Sequence, residues 1–339
     1  MGALPNVYPG YQQVSFADIR KKFEKAWGMA LSDQPGLMLP DMFDAAVGGR
    51  LKAMYVMGED PVLTDADANH VRKGLENLEF LVVQNLFLTE TAKLADVVLP
   101  AASFAEKSGT FTNTERRVQL VRKAVEPPGQ SRADWEIICD LSGRLGYAMN
   151  YTDTSEIMAE MASLSPIYSG VSHQRLAGAG LQWPVPAPDH PGTAFLHSEG
   201  KFTCGLGYFV PVEYQPPAEQ PDDEYPFLLT TGRRLFHYNV STHRYSKHLT
   251  EYCPEERIMI HPADAAQLGV NENDAVSVSS RRGRVRASAW LTDAVPPGIV
   301  WMSFHFPDSP TNQVTSGAYD KVTKTYEYKV CAVQVEKAL

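Results

Sequence analysis

The chain has 339 residues, with 31 Lys and Arg against 40 Asp and Glu for a formal charge of −9, so a general nucleic-acid or anionic-membrane surface is excluded. Hydrophobic residues make up 44% and charged residues 21%, which supplies a sizeable core, rules out disorder over the whole length and suggests roughly two domains. No apolar run approaches the ~20 residues of a membrane span, and the opening MGALPNVYPG has neither a basic start nor an apolar stretch of the secretory kind. Cys139, Cys204, Cys253 and Cys331 lie far apart, without a CxxC or a Cys/His pair at zinc spacing. They read as free thiols in a reducing compartment. His237, His243 and His248 are spaced by six and five, which suits no zinc arrangement, so no metal ligand is expected in this chain.

The first dozen residues run into Tyr8-Pro9-Gly10-Tyr11 without opening a domain. Ser15 then reads as an N-cap with Asp18 three residues on, and Ile19, Phe23 and Trp27 follow at helical spacing until Gly28. A second short helix is predicted from Asp41 to Val47. Leu51 to Met57 reads as a buried strand and Gly58-Glu59-Asp60-Pro61 as the loop after it. Residues 65–77 form an amphipathic helix carrying Val71 and Leu75; Phe80 to Val83 and Asp96 to Leu99 are further strands. Strand, helix and strand with short links imply parallel βαβ units and an open α/β sheet. Each strand empties into a polar loop, at 58–64, 84–91 and 100–106, where such sheets bind ligands. These loops propose a nucleotide-like site, although no GxGxxG or Walker loop is present.

A helix is marked from Asp134 to Leu145, and Ser155 caps another. The Pro-rich stretch 183–192 and the Pro- and acid-rich stretch 214–226 read as linkers around a short β segment at Phe202 to Val212. Phe227 to Thr231 is a strand. His261-Pro262-Ala263-Asp264 starts a short helix that ends at Leu268-Gly269. Ala275 to Ser279 and Arg284 to Trp290 form a hairpin around Arg281-Arg282-Gly283, a turn rather than a nucleic-acid patch. With Ile299 to Phe304 and Cys331 to Val335 this makes a mostly-β, barrel-like tail of at least five strands.

Four runs carry a family resemblance: YVMGEDP at 55–61, ADVVLP at 95–100, EKSGTFTNT at 106–114 and ERRV at 115–118. They resemble the catalytic α subunit of formate dehydrogenases, within the molybdopterin oxidoreductases. HPADAAQLG at 261–269, with Asp274, Val276, Val278 and the Arg281-Arg282-Gly283 turn, resembles their C-terminal molybdopterin-dinucleotide-binding domain. The resemblance runs along essentially the whole chain in family order. It implies α/β architecture, a partial doubly wound parallel sheet, followed by a C-terminal mostly-β barrel of double-psi-like form. The expected domains are residues 1–103, part of the α/β cofactor-binding domain; 104–190, a returning segment of the iron–sulfur domain and linker; and 191–339, the barrel. The family's cysteine cluster, and its metal-ligating Cys or selenocysteine followed by a His, have no counterpart here. The chain is therefore expected to match only the C-terminal half of such a subunit, with no catalytic residue of its own.

The cofactor implied is bis-molybdopterin guanine dinucleotide with molybdenum or tungsten, beside an iron–sulfur cluster held by the N-terminal part. A carboxylate fork suits guanine, whose N1–H and amino group form a donor pair. Asp60 stands where the family places such a contact, with Thr64 one turn later; a turn carboxylate is the alternative. Gln84 matches another family position, or is a strand-end amide. Asp134 resembles the second base contact, or caps the following helix. In the barrel, Gly232-Arg233-Arg234-Leu235-Phe236-His237 matches the dinucleotide motif. Arg233 offers a planar fork, His237 a switchable donor, and Arg234 stands at a position of variable chemistry; a solvated basic loop is the alternative. Asn312, Tyr328 and Lys329 fall where the family closes over the cofactor, while Lys329 could also be a surface charge. Phe304 replaces a tyrosine of some relatives and lacks its hydroxyl.

The function implied is the cofactor-cradling part of a formate dehydrogenase, passing two electrons from formate to iron–sulfur clusters. The expected partners are the N-terminal half of the same subunit and electron-transfer subunits, in the cytoplasm. The alternatives are a separately encoded cofactor-binding or assembly half-subunit, or part of another molybdopterin oxidoreductase such as a nitrate reductase or formylmethanofuran dehydrogenase.

Overall fold

A computed structural model describes residues 4–198, 200–235 and 245–338. The elements up to the second Pro-rich stretch are β1 (Val7–Tyr8), β2 (Gln12–Gln13), α1 (Ala17–Trp27), α2 (Leu39–Val47), β3 (Ala53–Met57), α3 (Pro61–Thr64), α4 (Ala68–Glu76), β4 (Phe80–Asn85), β5 (Val97–Pro100), β6 (Gly109–Thr112), β7 (Arg117–Val121), α5 (Asp134–Arg144), α6 (Thr154–Leu164) and β8 (Leu181–Gln182). Then come β9 (Phe227–Thr231), α7 (Lys247–Tyr252), β10 (Arg257–Ile260), α8 (Pro262–Leu268), β11 (Ala275–Ser279), β12 (Arg284–Leu291), β13 (Ile299–Met302) and β14 (Cys331–Lys337). By contact the chain groups into two units, Met1–Met38 with Pro100–Glu213 and Leu39–Leu99 with Tyr214–Leu339. Among the described residues no helix is long and apolar enough to cross a membrane, and the four cysteines are free thiols.

In the first unit, β1 and β2 pair as an antiparallel ladder, and Tyr8 stacks on the buried Phe23 of α1 at 4.5 Å. α1 starts after Phe16 without a side-chain cap; Ser15, the expected cap, lies one residue too early. β6, β7 and β8 form an antiparallel sheet over a core of Val118, Met158, Tyr168, Leu176 and Val185. Asp153, not Ser155, caps α6, its Oδ1 accepting from the Ser155 amide at 2.6 Å. The stretch 183–192 is no free linker, since Val185 is fully buried and the Trp183 amide donates to Arg116 O at 3.1 Å. The expected β segment at 202–212 does not form. One bridge joins Phe202 to Gly205, and Tyr208, Phe209 and Val210 are exposed beyond it. Gly205 and Gly207 leave the backbone unrestrained and Pro211 lacks a donor, so a ladder has little to build on.

In the second unit, β3 and β4 pair in parallel from Ala53↔Phe80 to Met57↔Gln84, with β5 on the other side of β4. Val56, Leu81 and Val83 meet Phe43 of α2 and Val71 and Leu75 of α4 in one core, each fully buried side chain stabilising by roughly 1.5–3 kcal/mol. The strands are not buried throughout, as their composition suggested, because strand side chains alternate. Tyr55, Met57 and Phe80, one residue out of phase, are exposed. The expected helix 65–77 forms only from Ala68 to Glu76. α3 opens on Pro61, the chain leaves helix at Asp65, and α4 is capped by Asp67, whose Oδ1 accepts from the His70 amide at 3.3 Å.

The barrel closes with six strands in the order β10-β12-β11-β14-β9-β13. β11 and β12 form the expected hairpin, in register from Ala275↔Ser288 to Ser279↔Arg284. Alternate residues fill the interior, among them Leu229, Ile258, Ile260, Val276, Val278 and Met302. α8 runs from Pro262 to Leu268 and stops at Gly269 in the left-handed region. The acidic stretch 214–226, expected as a linker, is strapped down. Glu219 accepts from Arg281 at 2.8 Å, Arg282 at 2.7 Å and the Ala332 amide at 3.2 Å. That neutralises the arginine turn within the protein.

Asn312 joins the two stretches of this unit, its Nδ2 donating to Leu63 O at 2.9 Å across 249 residues of sequence. Asn312→Ala leaves that carbonyl without the amide and is expected to cost about 1–3 kcal/mol. A lower urea midpoint at unchanged slope checks this; an unchanged midpoint counts against it.

Candidate functional site

β3 ends at Met57, and the chain turns at Gly58, whose φ of 69° suits glycine. The turn puts Glu59 on the rim of a cleft and Asp60 inside the fold. α3 then carries the chain to Thr64 and Asp65. From the barrel, β9 ends at Thr231 and passes through Gly232, where a Cβ would lie 2.5 Å from Trp301 Nε1, so only glycine fits. Arg233 and Arg234 follow. Phe304 lies after β13, and Tyr328 and Lys329 precede β14. Glu59, Thr64, Asp65, Arg233, Phe304, Tyr328 and Lys329 line one cleft of about 510 Å³.

Its acids come from the loop side and its cations from the barrel. Asp65 is 5% exposed. Its Oδ1 accepts from the Thr64 hydroxyl at 3.0 Å, and its buried Oδ2 has no hydrogen-bond partner among the described residues. Burial pushes the Asp65 carboxyl up to about 7, with the Thr64 hydroxyl opposing and Glu59 adding to the shift. Desolvation also holds Glu59 above the ordinary carboxyl range. Burial raises the Tyr328 phenol, aided by the Asp65 charge and opposed by the Ala66 amide. Lys329 donates to Thr231 O, and burial, then the Arg233 charge, lowers its ammonium. The Arg233 guanidinium lies 5.8 Å from the centre of the Phe304 ring. No ion pair links Glu59 or Asp65 to Arg233 or Lys329 among the described residues. Acids and cations that share a cleft without pairing suit a flat, polar ligand bearing hydrogen-bond donors and negative charge.

Of the residues singled out from sequence, Thr64, Arg233, Tyr328 and Lys329 converge on this cleft. Asp60 is 4% exposed, and its Oδ1 accepts from the Thr91 amide at 2.9 Å and the Thr91 hydroxyl at 2.7 Å, bracing the loop after β4. Gln84 is fully buried and accepts from the Tyr55 hydroxyl. Asn312 is the tie to Leu63 described above. Arg234 turns away to the buried Glu256 at 3.1 Å, Arg257 O at 2.7 Å and Cys253 Sγ at 3.2 Å. Asp134 belongs to the first unit, where Lys107 pairs with it. His237 lies outside the described residues. Sequence reasoning missed Asp65 and Glu59, each adjacent to a residue it chose. An Asp directly after a short helix-ending Thr was the available signal for Asp65.

Two family models match the stretches of sequence that build this strand-end loop and the six-stranded barrel. "Molybdopterin oxidoreductase" covers residues 8–144 and "Molydopterin dinucleotide binding domain" residues 227–332. In both stretches the chain is similar to molybdopterin oxidoreductases. It is 51% identical to the F420-dependent formate dehydrogenase 2 subunit alpha of Methanococcus maripaludis, over 99% of this chain and 50% of that one. It is 37% identical to formate dehydrogenase H of Escherichia coli, over 99% of this chain and 48% of that one. The chain thus spans about half the length of the curated relatives it matches. Acetylene hydratase from Pelobacter acetylenicus shares the fold, with a TM-score of 0.71 at 19% identity over 96% of this chain and 50% of that one.

Proposed function

We propose that this chain forms the molybdopterin-dinucleotide cradle of a formate dehydrogenase, working with the remainder of a catalytic subunit and with electron-transfer subunits. The observation that carries it is the cleft whose two barrel cations have no carboxylate partner among the described residues, in a chain whose relatives include formate dehydrogenase alpha subunits. The residues present suit the group. Arg233 and Lys329 offer charge and donors to phosphate or carbonyl oxygens, and the open Oδ2 of Asp65 offers an acceptor to a base edge. When bound, the metal–pterin group supplies the two-electron chemistry that takes formate to CO2. The chain's own share is to bind that group, orient it and screen its charge. Among the described residues no cluster of three or more His, Cys, Asp or Glu side chains is placed to hold a metal ion.

Titration of the purified chain with GDP and with released molybdopterin guanine dinucleotide, beside a formate assay, tests the proposal. Saturable binding that Arg233→Ala weakens, without turnover by the chain alone, is the expected result. Absence of binding counts against the cradle, and turnover by the chain alone would move catalysis into these residues.

A further inference from the structure

Asp65 combines three properties that no other carboxylate of the cleft shares. It is almost fully buried, one of its oxygens has no partner among the described residues, and it lines the cavity itself. Buried polar atoms are nearly always bonded, so an orphan in a cleft calls for an explanation. Asp60, five residues earlier, holds Thr91 with its Oδ1, and Glu59 sits on the hydrated rim.

We propose that Asp65 reads the amide-and-amine edge of a 2-amino-4-oxopyrimidine ring, and that seating this ring drives a proton off Asp65. The inference rests on the dinucleotide reading above and names the residue and protonation change within that site. The ring occurs both in guanine and in a pterin. Its adjacent N–H and NH2 groups form a donor pair that an ionised carboxylate accepts as a fork. Phe304 and Tyr328 provide aromatic surface for a flat ring. Arg233 and Lys329, in the same cavity, suit its carbonyl oxygen and attached phosphate.

The charged and titratable groups around Asp65 are Glu59 on its own loop, Tyr326 and Tyr328 from the segment before β14, Asp44 of α2 beyond Tyr326, and Arg233 and Lys329 of the barrel. Both phenols are raised and stay neutral near pH 7. Burial leaves Asp65 titrating at about 7, so the ligand-free carboxyl is mostly protonated at pH 6. A protonated carboxyl sets an O–H against the ring's own donors, whereas the ionised form supplies two acceptors. Binding therefore tightens as pH rises through 7, and below 7 it expels a proton.

The full chain would be titrated calorimetrically with GMP, 6-hydroxymethylpterin and inorganic pyrophosphate. Each titration is run at pH 6 and 8 in two buffers of different ionisation enthalpy. One of the two rings is expected to bind about tenfold more tightly at pH 8 than at pH 6, with protons released at pH 6. Which ring binds identifies the source. Asp65→Asn, checked as folded by its thermal melt, should weaken ring binding by at least about tenfold and flatten its pH dependence, leaving pyrophosphate binding unchanged. Ring binding that Asp65→Asn leaves unaltered overturns the assignment and spares the dinucleotide reading. So does pyrophosphate binding, sensitive to Arg233→Ala, without binding of either ring. Failure of all three ligands to bind overturns both.

Discussion

Arg234→Met is expected to destabilise the chain by about 3–5 kcal/mol, because it leaves the Glu256 carboxylate buried without its cation. Glu256 is 3% exposed. It accepts from the Arg257 amide and the Ser303 amide, each at 3.1 Å, and from the Ser303 hydroxyl. Burial pushes its carboxyl above the ordinary range, and the Arg234 charge is the largest opposing influence. Arg234 in turn spans three segments, reaching Cys253 Sγ and Arg257 O and lying 5.6 Å from the Trp301 ring centre. Without it the carboxyl must take up a proton or remain charged in a dry site, and either lowers stability at neutral pH. Glu256→Leu alone should also destabilise, since it leaves a largely buried guanidinium without its carboxylate and the Ser303 donors unmet. The double variant should recover part of the loss, because removing both charges removes the desolvation penalty as well. Thermal and urea midpoints measure this, and a single variant as stable as the wild type would refute it.

Asp65→Asn is expected to act in the opposite direction and to do so with pH. The folded-state carboxyl titrates at about 7, above its ordinary 3.8, so between those values the folded chain binds more protons than the unfolded one. Stability on this account is greatest below 3.8, falls as pH rises from there to about 7 and levels off above it. The ionised, partly unsatisfied carboxylate then costs on the order of 3–4 kcal/mol, an upper figure because water reaches part of the cleft. Asparagine cannot ionise, so the variant's advantage over the wild type should be larger at pH 8 than at pH 5, by about 2–3 kcal/mol. Urea unfolding at the two pH values checks this; a difference that does not change with pH would show that the carboxyl ionises as freely as in the unfolded chain. Together with the expected loss of ring binding, this is a trade of stability for function at one position.

The two variants differ in sign because the two carboxylates solve burial differently. Glu256 is surrounded by donors from Arg234, Arg257 and Ser303, so breaking the set is costly. Asp65 has the Thr64 hydroxyl on one oxygen and, among the described residues, nothing on the other, so removing its charge relieves the fold.

Much of the architecture was legible in the chain's local patterns. The β3-α4-β4 order, the β11–β12 hairpin and the Pro262–Leu268 helix follow from periodicity, turn residues, Pro and Gly, which act within a few residues of themselves. Thr64, Arg233, Tyr328 and Lys329 were marked instead by the family resemblance of the motifs around them, and they line one cleft. Tertiary structure alone decided which polar groups remain open to a ligand. Asp60 is engaged by Thr91, 31 residues away; Arg234 by Glu256, 22 away; Asn312 by Leu63, 249 away. Asp65 keeps an oxygen open because no such distant partner reaches it. Conformational preference is local and leaves its mark in sequence spacing, whereas hydrogen-bond satisfaction and desolvation depend on groups brought together only by the folded chain.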